Sequence, residues 1–121
     1  MDKAETKELL KFILESIALI KRRFSSINSI DDFLNSDEGL DKLDAISIRI
    51  LAIGEALKNI DKRDRDFLLS VAPQFYWSKI IKTRDILSHH YIDIDAETIF
   101  LICNEKIDEL EKYILKLNEK L

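Results

Sequence analysis

The stretch GLDKLDAISIRILAIGEALKNI, Gly39 to Ile60, decides the fold. Leu40, Leu43, Ile46, Ile50, Ile53, Leu57 and Ile60 recur at steps of three and four, the repeat of an α-helix with one face in a core. Gly54 sits inside this helix, where glycine costs about 1 kcal/mol against alanine. The plain reading is a close helix crossing that needs no side chain. Glu55 beside it is either solvated or a polar group held within the bundle.

The same periodicity extends outward in both directions. Lys3 to Phe24 forms a first helix, with Leu10, Ile13, Ile17, Ile20 and Phe24 on its apolar face. A short amphipathic turn follows from Ile30 to Leu34, with Ser29 as N-cap and Asp31 and Asp32 in the first turn. The alternating charges of Asp61 to Asp66, DKRDRD, read as a solvated helix start whose acids neutralise its bases. Pro73 marks the next boundary, and a fourth helix starts near Phe75 to Trp77 and reaches His89 or Tyr91. The last helix starts after Asp93 or Asp95, either a good N-cap, and runs to the C-terminus. Its seam is Ile99, Cys103, Ile107, Leu110, Ile114 and Leu117, a spacing that suits an intramolecular or dimeric bundle.

Composition agrees. The chain has 121 residues, 46% of them hydrophobic, enough for one domain over 1–121 with a real core. Gly 2 and Pro 1 cannot supply the tight turns of a sheet protein, nor the glycines of a phosphate-cradling loop. The expected architecture is all-α, a small antiparallel bundle of four to five helices. With 19 basic against 23 acidic residues and a net charge of −4, any contact with a polyanion must be local. Cys103 has no partner for an internal disulfide and reads as a small core residue. No apolar run is long enough to span a membrane, and the start, with Asp2, Lys3 and Glu5, has no signal-peptide pattern. A cytoplasmic protein is expected.

The chemistry lies in WSKIIKTRDILSHHYIDID, Trp77 to Asp95. On a helix, Trp77, Ile80, Arg84, Leu87 and Tyr91 share one phase, so Arg84 stands among apolar residues. A charge there is costly unless it is paired or faces a cleft. Arg84 therefore snorkels to the surface, pairs with an acid such as Glu55, or grips an anion. His89 and His90 are the only histidines. A five-residue step rotates about 140°, so Arg84 and His89 do not share a face of one helix. They converge only if the helix unwinds near Ser88 or if two chains contribute to one site. Imidazole beside guanidinium suits phosphodiester chemistry, one moving protons while the other holds the phosphate.

Other readings of this segment remain. His89, His90, Asp93 and Asp95 superficially form a metal ligand set, but adjacent histidines on a helix point about 100° apart, and the aspartates compete as caps. No metal is expected. A purely structural bundle would use Arg84, His89 and Tyr91 as interface polar residues. Phe12, Trp77 and Phe100 read as core, Tyr113 as a half-exposed packing residue, and Phe75 and Tyr76 as helix-start packing in preference to an RNA groove.

The segment resembles the signature of the HepT-like family, within the HEPN superfamily of all-helical ribonucleases and toxins. That motif is an Arg, a polar residue, a few more residues and a His, here Arg84, Asp85 and His89. The family's extension to His-x-Tyr is matched by His89, His90 and Tyr91. IGEALK, Ile53 to Lys58, resembles the family's Gly-Glu-Ala element, and Trp77 also fits; many relatives carry Asn where this chain has Asp85. The resemblance implies a HEPN-like homodimer and a metal-independent endoribonuclease without a cofactor, its two motif copies facing each other across the dimer cleft. Arg84 would orient the scissile phosphate of an RNA substrate, and His89 would act as general base or acid in attack by the 2′-hydroxyl. Asp85, Ser88 and His90 would support them. The implied partner is a minimal nucleotidyltransferase (MNT) antitoxin that attaches AMP to Tyr91, setting bulk and negative charge in the cleft. The alternative is a catalytically inactive HEPN dimer that only binds a nucleotidyltransferase.

Overall fold

The computed structural model describes residues 2–89 and 95–121, without the side chains of Ile86, Ser88 and His89. Helix α1 (Lys3–Phe24) begins where the Asp2 carboxylate accepts the Glu5 N–H at 2.8 Å, and Lys21, Arg22 and Arg23 lie at its C-terminal end, where cations oppose the helix dipole. Leu10, Ile13, Ile17 and Ile20 are buried along one side, as their spacing requires. Helix α2 (Asp31–Leu34) is a single turn that inserts the fully buried Phe33 ring into the core. Its start is not capped by Ser29. The Asp32 carboxylate instead reaches back to accept the N–H groups of Asn28 and Ser29 at 2.8 and 3.2 Å, while the Asp32 and Phe33 N–H groups donate to the Ser29 and Ile30 carbonyls.

Helix α3 (Asp37–Arg63) is longer than the Gly39 to Ile60 expectation at both ends. Ser36 caps it, its hydroxyl accepting the Gly39 N–H at 3.0 Å. Leu43, Ile46, Ile50, Ile53, Leu57 and Ile60 are buried, whereas Leu40 is exposed. The cause is α2, whose backbone lies so close to Gly39 that a Cβ there would overlap the Asp32 carbonyl oxygen. That contact fixes which side of the first turn faces inward and leaves Leu40 outside. The DKRDRD run is likewise not one helix start. Helix α3 continues through Arg63, Asp64 intervenes, and helix α4 (Arg65–Leu69) begins beside it, with Arg65 paired to Asp61 at 3.2 Å.

After Pro73, helix α5 (Gln74–His89) begins close to the expected position. Trp77 anchors it: the indole is fully buried and its N–H donates to the carbonyls of Leu68 and Ala72, at 2.9 and 3.1 Å. Helix α6 (Ala96–Leu101) is capped by Asp95, which accepts the Glu97 N–H at 3.0 Å and the Thr98 hydroxyl at 2.7 Å; the other candidate cap, Asp93, lies outside the described residues. The last helix is not uninterrupted. A π-helical segment (Ile102–Lys106) joins α6 to helix α7 (Ile107–Glu119). The seam explains it. From Ile99 to Cys103 to Ile107 are two consecutive four-residue steps, which drift by roughly 80° on an ideal α-helix. The wider π turn takes up that drift, and Ile99, Cys103 and Ile107 are all buried.

The long helices pack as an all-helical bundle in which α3 lies against both α1 and α5, and α1 also lies against α7. Cys103 belongs to this core, and burial pushes its thiol pKa up to about 12. Phe12 and Phe100 reach the core only in part, and Tyr113 is half-buried against Tyr76 and Trp77. Among the described residues no helix is long and apolar enough to cross a membrane.

Candidate active site

The α3–α5 crossing positions the candidate site. Gly54 on α3 is buried directly under Arg84 on α5, and a Cβ added at Gly54 would overlap Arg84 Cβ and crowd its Cγ. The missing side chain lets the two helix backbones approach at this point. Arg84 itself keeps a side-chain exposure of 25%, so its stem is packed while its head reaches solvent.

Two carboxylates hold that head. Glu55, next to Gly54, binds Arg84 Nη2 at 2.5 Å, and Asp85, next to Arg84, binds Nη1 at 2.7 Å. One turn along α3, Lys58 Nζ stands 3.9 Å from the same Asp85 oxygen. The guanidinium pKa is raised, first by the Asp85 hydrogen bond, against a smaller opposing effect of desolvation, and then by the charges of Glu55 and Asp85. Arg84 is therefore charged at every pH of interest. Two of the alternatives for Arg84 hold at once, since its head reaches solvent and pairs with Glu55, and Glu55 is both solvated and paired. The role of Lys58 was missed. Its signal is spacing: it lies three residues after Glu55, on the neighbouring turn of the face that meets α5.

IGEALK and the Arg84-Asp85 pair are thus two halves of one contact. Among the described residues, two cations and two carboxylates make a cluster whose charges balance. Each carboxylate takes one N–H of the guanidinium, and the remaining three of its five donors can meet an anion.

Helix α5 stays helical through His89, so it does not unwind at Ser88. Arg84 and His89 consequently occupy backbone positions about 140° apart on one helix. His90 and Tyr91 lie outside the described residues, as does Asp93 of the superficial metal set. Asp95 of that set is engaged as a helix cap, its pKa lowered first by the Thr98 hydroxyl. Among the described residues no group of three or more His, Cys, Asp or Glu side chains is arranged to hold a metal ion.

The family described as ribonuclease HepT-like matches residues 13–117. The chain belongs to this family. Among similar proteins of this kind, one from Methanocaldococcus jannaschii named "Gamma-glutamylcyclotransferase and putative RNase" is 32% identical over 97% of this chain. The match takes in 49% of that relative, so the HepT-like chain spans about half its length. A second protein of that organism, named "Putative RNase", is 34% identical over 94% of this chain and 91% of its own. "Probable ribonuclease HepT" of Thermococcus cleftensis is 32% identical over 97% of this chain and 99% of its own. No solved structure matches the HepT-like chain.

Proposed function

We propose that this chain is a metal-independent endoribonuclease, the toxin of a toxin–antitoxin pair, acting as a homodimer in the cytoplasm. The observation that carries the reading is the Arg84 head, fixed by Glu55 and Asp85 at the surface of a helix that continues unbroken to His89. A rigidly held guanidinium is a preorganised donor for a phosphate gaining charge in the transition state. Since α5 sets Arg84 and His89 on different faces, one complete site draws Arg84 from one protomer and His89 from the other.

In this reading His89 removes the proton of the RNA 2′-hydroxyl, whose oxygen attacks the adjacent phosphorus. The P–O5′ bond breaks, and the leaving oxygen takes up a proton from an imidazole. The products are a 2′,3′-cyclic phosphate and a 5′-hydroxyl. Asp85 positions Arg84, while Ser88 and His90 support the cleft. An MNT-type nucleotidyltransferase antitoxin silences the site by placing AMP on Tyr91, whose phosphate repels RNA. The second reading, an inactive dimer that binds the nucleotidyltransferase, is favoured by one observation: Glu55 and Asp85 already balance the charge of Arg84.

The experiment is RNA cleavage by purified protein in EDTA. The nuclease reading predicts cleavage that is lost in Arg84→Ala and His89→Ala and absent on 2′-O-methyl RNA. Equal behaviour of wild type and both variants leaves the inactive-dimer reading in place.

A further inference from the structure

On the other side of α5 from Arg84, a groove of about 530 Å³ runs between α5 and the α6–π–α7 segment. Three lysines line it: Lys79 and Lys82 from α5, and Lys106 from the end of the π segment. The described residues place no carboxylate within ion-pairing distance of any of them. Among the described residues, Glu109 is the one acid in the lining. On a chain of net charge −4, this is a local excess of positive charge. Its apolar part is unusual as well. Phe75 is 73% exposed and so does not perform the helix-start packing expected of it, and Leu101 across the groove is 48% exposed. Lys79 Nζ lies 5.1 Å from the centre of the Phe75 ring, a cation above an open aromatic face.

We propose that this groove is a subsite for a single-stranded stretch of the RNA substrate. Phe75 is a platform on which a base stacks, and Lys79, Lys82 and Lys106 neutralise the phosphates on either side. The inference rests on the ribonuclease reading and adds to it the path of the strand. Phe75, Lys82 and His89 stand at successive seven-residue steps on α5, so the groove face of the helix leads to the position of His89. Charge complementarity selects the occupant. A second copy docked here symmetrically would set each lysine cluster against its own mate, and an acidic peptide has no regular use for an exposed aromatic ring between lysines. A single strand of nucleic acid carries both a phosphate row and flat apolar bases.

The test uses full-length Arg84→Ala protein, silent in cleavage, titrated with a short fluorescent single-stranded RNA. Phe75→Ala and the double change Lys79→Glu/Lys82→Glu, each made in that background, are expected to weaken binding roughly tenfold or more, and the charge reversal is expected to flatten the salt dependence. Lys120→Glu, remote from the groove, is the control. Unchanged thermal melting establishes that the variants are folded. Binding that falls no further in the groove variants than in the control overturns the proposal. So does a Phe75→Ala change that dissociates an oligomer and spares RNA affinity, which would make the groove a subunit interface. Cleavage assays in the wild-type background keep the two ideas apart. Cleavage with no dependence on the groove removes the subsite and leaves the ribonuclease; groove-dependent binding by a wild type that never cleaves does the reverse.

Discussion

Gly54 and Arg84 face each other across the α3–α5 crossing so closely that the glycine hydrogen occupies the only space available to a side chain at that point. Two opposing effects meet there. On an isolated helix, alanine is better than glycine by about 1 kcal/mol. Here the added methyl group would strike Arg84 Cβ, which is tied to the α5 backbone and cannot swing aside. Overpacking of this kind costs about 1–3 kcal/mol, so the clash outweighs the propensity gain. Gly54→Ala is expected to lower the urea midpoint and reduce cleavage together. A stabilised variant with full activity means that the helices do not approach in this way.

Glu55 offers a separation of positioning from stability. It is 53% exposed, and an ion pair so open to water contributes only up to about 1 kcal/mol to folding. Its effect on where Arg84 points is larger. Glu55→Gln is expected to shift the melting temperature by no more than a few degrees and to lower kcat about tenfold, the equivalent of about 1.4 kcal/mol of transition-state stabilisation. KM is expected to change little. Arg84→Lys should fail to restore activity, because a single ammonium cannot serve two carboxylates and a phosphate at fixed angles.

The helices were legible in the sequence because their signal is local. Stripes such as Leu10-Ile13-Ile17-Ile20 and Leu43-Ile46-Ile50-Ile53 need only a period and a cap, and those residues are buried as spacing requires. Leu40 and Ser29 were misread because α2, a tertiary neighbour, decides what the first turn of α3 covers and how α2 itself begins. The π segment was hidden for a related reason: a seam residue gives its position along the chain, not how far the backbone must widen to keep it inward. At the site, Gly54, Glu55 and Arg84 were each visible as oddities, and Asp85 only through the motif it fits. That Glu55 and Arg84 pair, with Lys58 joining through Asp85, depends on the crossing of two helices about 30 residues apart in sequence, which no periodicity encodes.

Trp77 locks the start of α5 onto the α4 turn through one indole N–H shared between two carbonyls. Trp77→Phe keeps most of the buried aromatic surface but takes that donor from the Ala72 carbonyl, while the Leu68 carbonyl still accepts the Val71 and Ala72 N–H groups. A buried acceptor stripped of its partner costs about 1–3 kcal/mol. Chemical denaturation should show a loss in this range, with the slope of the transition unchanged. A neutral substitution indicates that the indole hydrogen bonds are dispensable.

Cys103 reports on core integrity. With its thiol pKa pushed up to about 12 by burial, it should react negligibly with a thiol reagent at pH 8 in the folded protein and at once in urea. The linkage has a definite sign. A thiol harder to ionise when folded adds stability below its unfolded pKa, near 9, and loses it as pH rises from there towards 12. Cys103→Ala should therefore be less sensitive to alkali over that window than the parent. Rapid labelling of native protein at pH 8 places Cys103 outside the core.

Mixed dimers distinguish a site built from Arg84 of one protomer and His89 of the other from a site within a single chain. Arg84→Ala and His89→Ala chains, each inactive alone, are co-expressed with different tags and the mixed dimer is isolated. If the site is shared between protomers, one of its two sites has both residues intact, and RNA cleavage returns to about half the wild-type level in EDTA. Mixed dimers as inactive as either parent overturn the shared site, since that result places Arg84 and His89 in the site of one chain or outside the chemistry altogether.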